Sequence, residues 1–217
     1  MKKLNNSISN QKLKISFWLS LVLLAVAYNL PWLMSNGAGL TMDGFDLAEW
    51  ASLHPDVVHS TPGLLTSLFL RIIPVIVIAI VATNTPPYPS NRRLWLSSAF
   101  ITIIVAVMLF PPFEFLTSER GNMNYRQMFV ISISCLVGGG VGLSGIFYRM
   151  RFYVMMVGGI CGVLVSTFGL SQVFQLYADF YLPRQVAIGG ILTILAFAMI
   201  VIVGVQHILS KRKRVAV

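Results

Sequence analysis

The chain has 217 residues, of which 56% are hydrophobic and 11% charged, whereas a soluble domain carries about 25% charged residues. That balance excludes an ordinary water-soluble fold and makes a lipid bilayer the expected solvent. The net charge of +9 would suggest a nucleic-acid partner if read alone, but the basic clusters flank the apolar runs, where they orient a membrane protein.

Six apolar runs stand out in chain order: Ile15 to Met34, Pro62 to Ala82, Leu94 to Phe110, Met128 to Phe147, Val154 to Tyr177 and Val186 to Leu209. Each approaches the roughly 20 residues that carry a helix across a hydrocarbon layer of about 30 Å. They are continuously apolar, which predicts helices rather than the alternating strands of a barrel. The expected fold is all-α: a single transmembrane domain over 1–217 with six spans (15–34, 62–82, 94–110, 128–147, 154–177, 186–209). The first run follows a basic tail, as a signal peptide does, but it exceeds the usual 7 to 15 apolar residues. Ser35, Asn36, Gly37 and Ala38 make a poor cleavage site, so a retained helix is expected.

The outer loop 35–61 holds the most distinctive segment. Asp43 is placed to cap a short helix from about Gly44 to His54, ending at Pro55. On a helical wheel Leu47, Trp50, Ala51, Leu53 and His54 share one face, with Glu49 and Ser52 opposite. This predicts an amphipathic helix between the first two spans, either lying in the interface or docked on the bundle.

Charge sets the orientation. Lys2, Lys3, Lys12 and Lys14, then Arg92 and Arg93, Arg149 and Arg151, and Lys211 to Arg214 all fall on one face of the predicted bundle, and the seven acids fall on the other. By the positive-inside rule the basic face is cytoplasmic, so both termini are expected inside a bacterial-type inner or plasma membrane, next to anionic lipid. Phe17, Trp18, Trp95, Tyr148 and Tyr153 are expected near the inner interface, and Trp32, Phe113, Tyr177 and Tyr181 near the outer one.

Within the spans, Arg71 is the most informative residue. It lies nine residues past Pro62, about 14 Å into a helix, where a charged side chain needs a partner or water. Glu114 is one candidate partner, and Asp46 or Glu49 can serve if the outer helix folds inward. Asn29, Gln172 and Gln175 fall in the outer halves of their spans and are candidates to line the same polar region. Pro74 is expected to kink the helix beside Arg71. Two outcomes follow: an anion or substrate site that opens outward, or an internal ion pair that fixes packing.

Gly140, Gly142 and Gly145 spell GxGxxG, but without a preceding strand and a following acid the motif is not a dinucleotide site. Gly138 with Gly142, and Gly158 with Gly162, have the GxxxG spacing of close helix packing. Cys135 and Cys161 are expected as small buried apolar residues. His54 and His59 share their loop with several acids but lack a tight metal-ligand spacing. His207, at the inner end of the last span, has no second intramembrane histidine with which to bind haem. No HExxH, Walker A or GxSxG motif is present. An importer permease would carry an acidic cytoplasmic coupling loop, which is missing.

The expectation is therefore a non-enzymatic accessory or scaffold subunit of a larger membrane assembly, without cofactor, metal or nucleic acid. Its expected partners are membrane lipids and other membrane subunits, docked through Asp43, Asp46, Glu49 and Trp50. The alternative is a small transporter or channel built around Arg71.

Overall fold

A computed structural model describes residues 2–35, 40–59, 64–180 and 185–215. Pro62, Tyr181 and residues 36–38, which figure in the sequence reading, lie outside the described residues. In chain order the elements are α1 (Lys2–Tyr28), β1 (Leu33–Ser35), β2 (Leu40–Met42), α2 (Gly44–Leu53), α3 (Pro55–Val58), α4 (Leu65–Asn84), α5 (Arg92–Met108), α6 (Met123–Leu143), α7 (Arg151–Leu176), β3 (Gln185–Val186) and α8 (Ile188–Val215). Five segments are long and apolar enough to cross a membrane: Gln11–Tyr28, Leu65–Asn84, Met123–Leu143, Tyr148–Leu176 and Ile188–Ser210. The remaining long helix, α5, has 17 residues and is about 26 Å long.

Helix α5 is packed inside out. Its buried residues are Ser98, Thr102 and Ala106, one per turn, while Phe100, Ile103, Ile104, Val107 and Met108 are exposed. Water would penalise that arrangement, whereas lipid tails solvate large apolar side chains and leave close contact to small residues. The inward stripe meets α6, where the Ser132 hydroxyl donates to the Ala106 carbonyl at 2.7 Å.

The glycines follow the same logic, with one correction. A Cβ on Gly142 would lie 2.7 Å from Ala82 Cβ and 3.0 Å from the Thr83 amide nitrogen, one on Gly158 would meet Ile80, and one on Gly162 the ring of Phe197. Gly138, the expected partner of Gly142 in a packing motif, faces open space, and its neighbour Gly139 is the residue that abuts Thr102. A helix turns 100° per residue, so a four-residue spacing does not fix which of two adjacent glycines points inward. Cys135 is buried as expected, but Cys161 is exposed.

One end of the bundle carries a cap. The first helix stops at Tyr28, not at Met34, because Pro31 cannot continue it. The chain then enters a three-stranded antiparallel sheet of order β2-β1-β3, which the all-α expectation did not contain. Leu33 pairs with both Met42 and Val186, so the sheet joins the end of α1 to the start of α8. The join is tight: the Gly189 amide donates to the Pro31 carbonyl at 2.8 Å, and a Cβ on Gly189 would collide with the carbonyl oxygens of Leu30 and Pro31. Trp32, expected in the interface, is instead fully buried under the sheet and donates to the Ala27 carbonyl at 3.2 Å. Tyr177 is buried as well.

Candidate functional site

The cap helix α2 begins as the sequence implies. The Asp43 carboxylate accepts the amides of Phe45 and Asp46, each at 2.9 Å, which satisfies two of the donors left over at a helix start. The buried face differs from the expected one, since it consists of Gly44, Leu47, Ala48, Ala51 and Ser52. Ser52 can face inward because its hydroxyl donates back to the Glu49 carbonyl at 2.6 Å, whereas Leu53 is 76% exposed. The helix ends at His54, whose Nδ1 accepts the Asp56 amide at 3.3 Å and so starts α3.

From α2, the Glu49 side chain reaches Arg71. The Arg71 guanidinium is 1% exposed, and its Nη2 lies 2.6 Å from Glu49 Oε1. Its Nη1 donates to Asn124 Oδ1 at 2.5 Å and to Gln127 Oε1 at 3.1 Å, both from the first turns of α6. The Gln127 amide in turn donates to the Leu64 carbonyl at 3.0 Å, at the start of α4. One cation thus ties α2, α4 and α6 together. Arg71 stands six residues past Leu65, about 9 Å into α4, so it lies in the half of the helix nearer the cap and not at its centre.

Most of the other expected site residues lie elsewhere. Asn29 is exposed and donates to the Ala25 carbonyl at 2.8 Å within its own helix. Glu114 is exposed on the 3-10 turn Phe113–Leu116. Gln175 is exposed, and Gln172 lines a separate crevice of about 410 Å³ with Asp56, Thr66 and Phe69. Arg71 therefore does not gather these four groups, and the residues that complete its shell, Asn124 and Gln127, were assigned by the sequence to a loop ahead of Met128.

Two of the expected docking residues also turn inward. Glu49 is engaged by Arg71, and the Trp50 ring lies 4.6 Å from that of Tyr177 and 5.8 Å from that of His54. Burial pushes the Tyr177 phenol above its ordinary pKa. Asp46 remains on the exposed side of α2. Desolvation at the helix start, and then the neighbouring Asp43 carboxylate, raise its carboxyl above the ordinary value.

No family model, curated protein or solved structure matches the chain. The site must therefore be read from its own geometry. Arg71 has one anion partner, Glu49, and two amide partners, Asn124 and Gln127, from the protein itself, so its chemistry is that of a latch that holds the cap helix to the bundle.

Proposed function

We propose that the protein is a non-enzymatic multi-pass membrane subunit that supports a larger assembly. In this reading α5 is a sixth span, the cap faces outward, and both termini lie on the cytoplasmic side of a bacterial-type membrane. The observation that carries it is the Arg71 network: the intramembrane charge is spent on Glu49, Asn124 and Gln127, which makes a rigid cap and not a vestibule for solutes. On that cap Leu53 is 76% exposed, and Asp46 and Asp56 are exposed on the same segment. An apolar knob among acids suits a protein partner better than open water.

Because Glu49 and Trp50 hold the cap together, replacing them would damage the fold and not just the docking surface. The informative variant is Asp46→Ala, Leu53→Ala and Asp56→Ala combined. Purification from the native membrane in mild detergent, with mass spectrometry of bound proteins, is expected to find stoichiometric partners that this variant loses while it still inserts. A wild-type chain that purifies alone, or partners retained by the variant, would overturn the proposal. An outward anion site at Arg71 has less support, since the guanidinium is almost wholly enclosed; it predicts flux in liposomes that Arg71→Met abolishes.

A further inference from the structure

A crevice of about 410 Å³ opens between α3, α4 and α7, beside the cap. Its size falls within the roughly 300 to 1,000 Å³ of small-ligand sites. Away from the cap α4 and α7 touch: a Cβ on Gly169 would lie 2.9 Å from Leu70, and the rings of Phe69 and Phe168 stack there with centroids 6.1 Å apart. Phe168 lies eight residues before Leu176, the last residue of α7, so the crevice follows that helix for about 12 Å. That is less than half of a hydrocarbon core of about 30 Å, which keeps it within the leaflet on the cap side.

The lining is graded along that length. At the cap end stand the Asp56 carboxylate, from the start of α3, and the Thr66 hydroxyl, from the first turn of α4. The Gln172 amide follows on α7, one turn from Phe168. Among the described residues Asp56 is the only charged one on the lining, and none of these three side chains has a hydrogen-bond or ion-pair partner there. Deeper in, the surface is the two phenylalanine rings, and Phe168 is 53% exposed. A single carboxylate attracts a cation and repels an anion, whereas a hydroxyl and an amide are neutral donors that suit a phosphate oxygen. The aromatic end suits hydrocarbon.

We infer that this crevice holds an aminophospholipid of the leaflet on the cap side, with its primary ammonium on Asp56, its phosphate on Thr66 and Gln172, and an acyl chain against Phe69 and Phe168. Carboxylate, neutral donors and rings stand along the crevice in the order in which such a lipid carries ammonium, phosphate and chain. A primary ammonium donates charge-assisted hydrogen bonds to a carboxylate, and a trimethylated one has no N–H to donate, so Asp56 distinguishes two headgroups of equal net charge. The inference rests on the membrane placement proposed above. Whether the chain leaves the membrane fraction only with detergent tests that placement separately.

The test is native mass spectrometry of the full chain extracted from bilayers of equal parts phosphatidylethanolamine and phosphatidylcholine, neither of which is drawn to the basic end by net charge. Phosphatidylethanolamine is expected to stay bound in preference. Asp56→Asn is expected to lower its retention roughly 10-fold and to leave phosphatidylcholine unchanged. Gln172→Leu, which removes a donor that both phosphates use, should lower retention of both lipids. It leaves Asp46, Leu53 and Asp56 in place, so any bound proteins should stay, and loss of lipid is read apart from loss of partners. Asp56 and Gln172 are both exposed, and helical circular dichroism is expected to be unchanged in either variant. Equal retention of the two lipids by the wild type, or unchanged retention in either variant, would overturn the inference. So would a cross-link from Gln172→Cys, in a chain lacking Cys135 and Cys161, to a second copy or another protein.

Discussion

The Tyr28 hydroxyl lies 3.4 Å from the carbonyl oxygen of Leu70, which is the carbonyl that Pro74, four residues on, leaves without its helical donor. In a bilayer such a group must be satisfied by a neighbour, and α1 supplies one. Tyr28→Phe is expected to destabilise the bundle by about 0.5 to 1 kcal/mol. In a Pro74→Ala background, where the helix regains its own bond, the same change should cost close to nothing. A double-mutant cycle by unfolding in mixed micelles checks this, and equal costs in both backgrounds would remove the link.

Removing Glu49 strands the Arg71 cation. Breaking one side of a buried pair costs about 3 to 5 kcal/mol, and with the Glu49 side chain 36% exposed the lower figure applies. Glu49→Leu combined with Arg71→Met should recover most of the loss measured for Glu49→Ala alone. If the double variant is no more stable than the single one, the latch is not an ion pair in energetic terms.

How much of this latch was legible in the sequence is instructive. A lone arginine in an apolar run announces that it needs a partner, and Glu49 was within reach once α2 folded inward. Asn124 and Gln127 were not legible, because counting apolar residues ends a span where polarity begins, whereas α6 continues for five residues before Met128 with polar groups aimed at Arg71. The aromatic residues misled for a related reason: composition places Trp32 and Tyr177 in an interface, but Trp32 packs on Tyr28 and beside Gly44 and Gly190, and Tyr177 on Trp50 and Met42, contacts that exist only once the cap has folded. The helices themselves, long and strongly apolar, were found with shifted ends.

The two glycines of the α6 GxxxG pair should respond oppositely. Gly138 faces open space, so Gly138→Ala is expected to be neutral or to stabilise α6 by up to about 1 kcal/mol. Gly142 touches Ala82 and the Thr83 backbone, which cannot swing aside, and Gly142→Ala is expected to cost about 1 to 3 kcal/mol. Thermal unfolding in detergent separates the two.

Orientation is accessible by labelling. Ser90 and Ser118 are both exposed and lie in loops at opposite ends of α5. In a chain lacking Cys135 and Cys161, Ser118→Cys is expected to react with a membrane-impermeant maleimide on intact cells, and Ser90→Cys only after the membrane is opened. The reverse pattern would invert the topology.

The strand pairing of Leu33 with Val186 also sets a schedule for biogenesis. Helix α1 packs chiefly on α8, and the residues between Tyr28 and Ile188 take roughly 10 to 30 s to synthesise at about 5 to 20 residues per second. In a membrane, α1 would wait throughout that interval with its final face unmatched. A ribosome stalled before Ile188 leaves a chain whose cap cannot close, a ready target for membrane quality control.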